Sequence, residues 1–254
     1  MLRRPRIIPV LSIIENDLVK TKQFQTPRYL GDPINAVKIF NGKMVDELCV
    51  LDIRATQTNQ PPNFELLKDI AAQAFMPLAY GGGLNTIDHV KSIIKMGYEK
   101  VIFNSALWNR PDVVKESVKQ LGSSGVVASI DVTYRDGTYQ PMIQSGEVSI
   151  PLTIEQFIEH VISLGVGEII ISSIDRDSMM EGYDLTLIER ISQNLSVPLI
   201  ALGGAHHIRD LKKAIQAGAQ AAGASSMFVY FGPKQTVLIT HPSQSEIDRL
   251  WEDL

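Results

Sequence analysis

Two glycine pairs in this sequence are each followed, at the same spacing, by two small polar residues. The two sets are Gly82, Gly83, Asn104 and Ser105, and Gly203, Gly204, Ser225 and Ser226. Glycine lets backbone N–H groups approach an anion, and the N-terminus of a following helix adds partial positive charge. A tight turn between a strand and a helix is the alternative interpretation of each pair. Because the two sets repeat in register, we favour two phosphate-binding faces.

An internal repeat underlies this pattern. A displacement of 121 residues lays 77–83 (PLAYGGG) over 198–204 (PLIALGG). A repeat that keeps its register over such a length indicates two similar structural units. The two units would be about 1–122 and 123–254.

Eight short apolar runs rich in isoleucine and valine predict β-strands, numbered 1 to 8 in chain order: 6–12, 47–53, 76–81, 99–104, 125–131, 167–173, 198–202 and 220–225. Helical periodicity fills stretches between them: 62–74, 86–97, 111–121, 153–164, 185–194 and 207–217. Alternation of strands and helices predicts a parallel sheet. A doubly wound open sheet is the alternative, but the early glycine-rich dinucleotide fingerprint that would support it is absent.

Two copies of a four-strand unit close naturally into eight strands. We therefore predict a single (β/α)8 TIM barrel over 1–254, made of two half-barrel repeats. Active sites of such barrels lie at the C-terminal ends of the strands. The first polar set follows strands 3 and 4 and the second follows strands 7 and 8, so the two faces would lie across the barrel mouth. That separation suits a phosphorylated ligand with a phosphate at each end.

The composition argues against several classes of function. The chain has 254 residues, is 44% hydrophobic and carries a net charge of −4, which favours neither nucleic acid nor an anionic membrane. No apolar run approaches the roughly 20 residues of a spanning helix, and no signal peptide is recognised. The one cysteine, Cys49, rules out an internal disulfide and lies in an apolar run typical of a core thiol. We expect a cytoplasmic protein with no metal and no cofactor, since no cysteine or histidine cluster has metal-ligand spacing.

The sequence resembles a known family, the cyclase subunit of imidazole glycerol phosphate synthase (HisF), from about Arg6 to Phe228. Its most specific part is 173–177 (SIDRD) followed by 182–184 (GYD). Other matching segments are 6–8, 18–20, 31–33, 46–48, 51–53, 81–83 and 129–131. The resemblance implies a barrel that receives ammonia from a separate glutaminase subunit and condenses it with a bis-phosphorylated nucleotide precursor.

In that family two aspartates, ending strands 1 and 5, act as general acid and base. Asp131 matches the strand 5 aspartate, but Ser12 stands at the strand 1 position. A hydroxyl cannot replace a carboxylate in proton transfer, and losing one member of such a pair costs on the order of 10²–10⁴ in rate. The second phosphate face also departs from the family, with Ser178 for a glycine and Leu202 for a serine. These departures argue against the histidine-pathway reaction.

The resemblance assigns two further residues to ligand binding. Lys20 opens a long polar loop, 21–32, and resembles the lysine of a mobile loop that contacts substrate. A surface lysine is the alternative. Asp177 resembles a residue of the family's ligand pocket, and cation binding together with Asp175 is its alternative.

Four charged residues lie at the predicted starts of strands 1, 2, 4 and 6: Arg6, Glu47, Lys100 and Glu168. In the family these positions gate a central ammonia channel. Solvated charge at strand starts is the alternative interpretation. Two cations and two anions at one level are, however, the pairing that burial inside a barrel requires. Because no Cys–His–Glu set for glutamine hydrolysis is visible, we expect a HisH-like glutaminase to bind at the N-terminal face.

The four charged residues at the N-terminal end match the family, while the mouth of the barrel departs from it. This combination resembles a paralogous branch found among surface-polysaccharide enzymes. There a HisF-like barrel and a glutaminase supply ammonia to a sugar amidotransferase that forms an acetamidino group. Segments 31–36 and 228–242 look like that branch. Three hypotheses follow: a subunit of such a sugar-amidating complex, a histidine-pathway cyclase whose acid has been replaced, and a non-catalytic scaffold that activates its glutaminase.

Overall fold

The computed structural model describes residues 4–252, and its central feature is a closed barrel of eight parallel strands. Barrel strands 1 to 8 are Arg6–Ile14, Leu48–Asp52, Leu78–Gly81, Lys100–Phe103, Val126–Arg135, Glu168–Ser173, Leu199–Leu202 and Ala221–Ala224. Strand 8 pairs with strand 1 in register from Ala221 opposite Arg6 to Ala224 opposite Pro9, which closes the ring. The predicted TIM barrel is confirmed, and each predicted strand is observed within a few residues of its predicted bounds.

Helices cover the outside of the barrel. They are Pro33–Lys43, Phe64–Gln73, Ile87–Lys95, Ala106–Asn109, Pro111–Leu121, Ile154–Ser163, Leu185–Ser192, Ile208–Gln216, Ser226–Val229 and Gln244–Trp251. Helix 154–163 shows how local sequence fixes a boundary, because Thr153 and Gln156 form a reciprocal capping box at its start. Its buried face, with Phe157 and Val161, then packs on the sheet. No helix among residues 4–252 is long and apolar enough to cross a membrane.

Strand residues divide between two cores because successive side chains point to opposite sides of the sheet. The larger core lies between sheet and helices and includes Ile7, Tyr80 and Val101. The smaller core fills the barrel and consists of Ile8, Val10, Cys49, Ala79, Ile102, Val127, Ile170, Ile200 and Ala221. Cys49 is a buried thiol of this inner core, as its apolar run indicated.

The prediction of a long polar loop at 21–32 is wrong. Strands Asp17–Lys22 and Gln25–Gly31 form an antiparallel hairpin that extends barrel strand 1. The second strand is mostly exposed, so it lacks the apolar alternation by which a half-buried strand is recognised in sequence. A corresponding strand, Thr138–Ile143, extends barrel strand 5. The two added strands begin 121 residues apart, so the repeat includes them.

Candidate functional site

A cavity of about 320 Å³ opens at the C-terminal ends of the barrel strands. Its floor, made of barrel-strand residues, combines short polar side chains such as Ser12 and Ser129 with apolar ones such as Val10 and Ile102, and its walls come from the loops that follow the strands. Most of the predicted site residues line it: Ser12, Lys20, Gly82, Gly83, Asn104, Ser105, Asp131, Asp177 and Ser225. The volume falls at the lower end of the range for small-molecule sites. The cavity is therefore the candidate ligand site.

Asp131 is the most perturbed acid on the floor of this cavity. Burial raises its pKa to about 8, with a further contribution from the negative charge of Asp177, while a hydrogen bond from Asn104 acts in the opposite direction. The Asn104 Nδ2 atom lies 3.1 Å from Asp131 Oδ2. Asp131 is therefore largely protonated at neutral pH and can donate a proton. Ser12 lines the same floor, 7% exposed, and brings a hydroxyl where the resemblance predicts a second carboxylate.

The face at strands 3 and 4 is open to the cavity. Gly82 cannot carry a side chain, because a Cβ there would lie 2.6 Å from Asp52 Cβ. The glycine is thus required by close approach of neighbouring strands, whether or not an anion binds. Ser105 is already engaged, since its Oγ donates to Asn104 Oδ1 at 3.2 Å and accepts from the backbone N–H of Gln144 at 3.0 Å. Gly82, Gly83 and Ser105 therefore offer backbone and space rather than a free hydroxyl.

The face at strands 7 and 8 is nearly filled. Gly203, Gly204, Ser225 and Ser226 surround a space of only about 10 Å³, which is room for at most one water. Ser178 closes it, since its Oγ donates to Thr21 O at 2.5 Å and lies 2.8 Å from Ser226 Oγ. Ser178 has φ +59°, a left-handed conformation that favours glycine. The glycine-to-serine departure thus occupies the second face physically.

Lys20 and Asp177 form an ion pair beside that closed face. Lys20 Nζ donates to Asp177 Oδ1 at 2.7 Å, and the two residues are 5% and 8% exposed. The surface-lysine alternative is therefore wrong. Asp175, the other half of the suggested cation site, accepts from Thr133 Oγ1 at 2.9 Å and from the Tyr134 N–H at 2.6 Å. Within residues 4–252 no acidic, histidine or cysteine cluster is arranged to hold a metal.

A ring of four charges closes the opposite end of the barrel. Arg6 donates to Glu47 and to Glu168, and Lys100 Nζ lies 3.0 Å from a carboxylate oxygen of each. Both carboxylate side chains are less than a tenth exposed. Their negative charges raise the pKa values of Arg6 and Lys100 and outweigh the opposite effect of burial. The fold thus brings together four charged residues from four different barrel strands, as their positions in the sequence predicted.

Comparison with known proteins identifies a family and several relatives of this chain. The chain matches the histidine biosynthesis protein family over residues 6–233. It is 42% identical over 251 residues to a Leptospira borgpetersenii protein with the provisional name imidazole glycerol phosphate synthase subunit HisF, covering 98% of this chain and 99% of that one. A Pseudomonas aeruginosa protein provisionally named subunit hisF2 is 40% identical, with the same coverage. The imidazole glycerol phosphate synthase subunit HisF of Streptomyces griseus is 35% identical over 89% of this chain and 90% of its own.

This chain belongs to the HisF family. The match confirms the family predicted from the sequence, and the numbered name of the Pseudomonas relative is consistent with a paralogous branch.

Several cavity residues of this HisF-family chain were not identified from the sequence, and three of them are Ser129, Ser172 and Arg54. Ser129 and Ser172 project from strands 5 and 6 onto the floor, and Arg54 stands on the loop after strand 2. The alternation of inward and outward residues along each strand could have identified the two serines, because both share a face with predicted inward residues. Arg54 had no such signal, since loop residues follow no fixed period.

Proposed function

We propose that this HisF-like chain is the synthase-type subunit of a glutamine-dependent amidotransferase complex. In this proposal a separate glutaminase binds the N-terminal face, and its ammonia passes through the barrel to the mouth. The acceptor is a sugar destined for a surface polysaccharide, which a sugar amidotransferase converts to its amidino form. The family match supports the coarse assignment as a HisF-like cyclase subunit.

The observation that carries the proposal is the charged ring at the N-terminal end. Glu47 and Glu168 are almost completely buried, and each is bound by two cations. Replacing such buried ion pairs with apolar side chains of similar volume is often neutral or stabilising, so stability alone gives little reason to keep them. A polar closure is reasonable where a small polar molecule must enter and a partner must cover the opening.

Exposed apolar side chains next to the ring support a protein partner. Phe75 is 90% exposed and Met44 is 75% exposed, and both lie in loops that lead into barrel strands at the N-terminal end. The Phe75 loop is held to the last turn of helix Pro33–Lys43, whose C-cap residue is Met44, because Asn41 Oδ1 accepts from the backbone N–H of Phe75 at 2.9 Å. Large apolar side chains with this exposure are typical anchors of protein interfaces.

The side chains at the barrel mouth favour a use of ammonia outside the histidine pathway. Ser12 leaves Asp131 without the second carboxylate that the cyclase reaction requires, and Ser178 fills the second phosphate face. The retained Asp131, with its pKa near 8, is the observation that keeps the histidine-pathway cyclase as the second candidate. The third candidate, a scaffold that only activates its glutaminase, would bind the partner and transfer no ammonia.

Co-expression with the glutaminase encoded beside this chain tests the proposal. We expect a heterodimer by size-exclusion chromatography, with roughly 800 Å² buried on each partner. Phe75→Asp should weaken the complex about tenfold or more, because it places a charge in the apolar anchor. The matched control is Phe231→Asp, which alters an equally apolar side chain, 64% exposed, that follows strand 8 near the mouth.

Two outcomes would overturn the proposal or direct it to another candidate. If the proteins elute separately and the glutaminase rate is unchanged on mixing, the chain does not act in this complex. If they associate but glutamine never supports amidination in the presence of the sugar amidotransferase, the scaffold candidate stands instead. A second HisF chain with both aspartates in the same genome would remove the need for this chain in histidine synthesis.

A further inference from the structure

Four serine hydroxyls surround the cavity floor with no hydrogen-bond partner among residues 4–252. They belong to Ser12, Ser129, Ser172 and Ser225, from or just after four different barrel strands. The first three are 7%, 6% and 3% exposed, so their free hydroxyls face the cavity rather than bulk water. These hydroxyl oxygens remain accessible from the cavity, where a ligand can replace water as their hydrogen-bond partner. The floor is therefore suited to a ligand rich in hydroxyl groups.

A single unpaired cation stands at the rim of this cavity. Arg54 lines the wall on the loop whose residues Asp52 and Ala55 pack against Gly82 and Gly83, and its guanidinium makes no ion pair with any residue between 4 and 252. Among residues 4–252 the only other cation in the wall is Lys20, which is neutralised by Asp177. A guanidinium binds phosphate through paired hydrogen bonds, which are stronger than those between neutral groups.

The rim carboxylates are engaged by other groups. Asp52 Oδ1 accepts from the backbone N–H groups of Arg54 and Ala55 at 3.1 and 3.0 Å. Glu147 Oε1 accepts from Gln57 Nε2 at 2.8 Å. These bonds hold both acids to the loops, which leaves Arg54 as the group in the wall that can neutralise an anion.

The opposite side of the mouth offers far less space for a second phosphate. The space behind Ser178 and Ser226 is about 10 Å³, against about 320 Å³ for the main cavity. The hydroxyls of Ser178 and Ser226 bind each other, and the Leu202 side chain lines both spaces. A ligand with two phosphates would leave one of them without a site.

We infer that the mouth binds a sugar or polyol carrying one phosphate. The phosphate binds at the strand 3 and 4 side against Arg54 and the glycine backbone, and the hydroxyl groups bind the four serines and Asp131. This inference rests on the proposed function only in taking the mouth as the ligand site, and it names the chemical class of that ligand.

Calorimetric titration of the full chain with small probes tests the inference. Ribose 5-phosphate should bind at least about tenfold more tightly than ribose, which lacks the phosphate. Its affinity should exceed that of fructose 1,6-bisphosphate by a similar factor, because that sugar carries a second phosphate. Arg54→Gln should reduce ribose 5-phosphate affinity about tenfold and leave ribose binding unchanged. Arg209→Gln, an exposed arginine outside the cavity, is the matched control.

Two further variants separate the floor from the closed face. Ser129→Ala with Ser172→Ala should weaken ribose and ribose 5-phosphate and leave inorganic phosphate unchanged. Ser178→Gly with Leu202→Ser should strengthen fructose 1,6-bisphosphate binding, because it empties the second face. These substitutions are small and conservative, and circular dichroism confirms that the barrel is folded.

The inference is overturned if wild-type protein binds the bisphosphate as tightly as the monophosphate, if Arg54→Gln has no effect, or if ribose 5-phosphate does not bind. Each measurement uses the chain without a glutaminase. A failure here therefore leaves the proposed complex intact, and a failure of glutaminase docking leaves these affinities unchanged.

Discussion

The two ends of the barrel satisfy their buried polar groups in opposite ways. At the N-terminal end Arg6, Glu47, Lys100 and Glu168 pair only with each other within residues 4–252, so the ring is complete without a ligand. At the mouth, four serine hydroxyls have no hydrogen-bond partner in the described part of the chain, and burial raises the pKa of Asp131 to about 8. The difference teaches that a polar cluster whose members bind one another can seal one end of a barrel. A polar cluster with free donors and acceptors is suited to bind a ligand.

The largest expected effect comes from returning a carboxylate to the mouth. We expect wild-type protein to convert the histidine-pathway substrate negligibly with ammonia, and Ser12→Asp to raise the rate by about 10²–10⁴, because it restores an acid–base pair with Asp131. Steady-state assays with ammonium salts measure this. The double variant Ser12→Asp with Asp131→Asn should lose the gain. Wild-type turnover at roughly tens per second would instead show that the mouth still performs the cyclase reaction.

Breaking the ring is the next largest change. Glu168→Gln removes a negative charge that Arg6 and Lys100 share, so two cations then face Glu47 alone. We expect a loss of about 3 kcal/mol in the free energy of unfolding, at the low end for buried pairs since both cations retain some contact with water. Urea denaturation provides the value. As a control, Glu155→Gln breaks an exposed pair with Arg190 and should change stability by about 1 kcal/mol or less. Equal losses in the two variants would show that the ring is not a special feature.

The smallest expected effect is the change in stability per pH unit that comes from the titration of Asp131. Its pKa is about 8 in the folded protein and near its ordinary value in the unfolded chain. Between about pH 4 and pH 8 the unfolded state releases a proton that the folded state retains, so stability falls as pH rises, by about 1.4 kcal/mol per unit.

Asp131→Asn should remove this slope and gain stability relative to wild type toward pH 8. Urea titrations at pH 5, 6 and 7 compare the two proteins, and the difference between them cancels the other titrating groups. Parallel pH profiles for wild type and Asp131→Asn would mean that Asp131 ionises normally, which would remove the contrast between mouth and ring.

Much of the fold was predictable because it depends on local and periodic signals. Eight apolar runs and the repeat at 77–83 and 198–204 were enough for the barrel, since runs apolar on both faces are typical of strands covered by helices and filled by a core. The hairpin strand at 25–31 was missed, because its pairing is made with exposed side chains that carry no apolar pattern.

The sequence by itself determined which residue types stand at the ends of the strands, and hence the family and the positions of Asp131 and Ser12. Only the tertiary structure decided which groups satisfy each other. It paired Lys20 with Asp177 across 157 positions of the chain, turned Ser178 toward Ser226, and left Arg54 unpaired among residues 4–252. Hydrogen bonds and ion pairs depend on distances of a few ångströms between segments far apart in the chain, and those distances exist only once the barrel has closed.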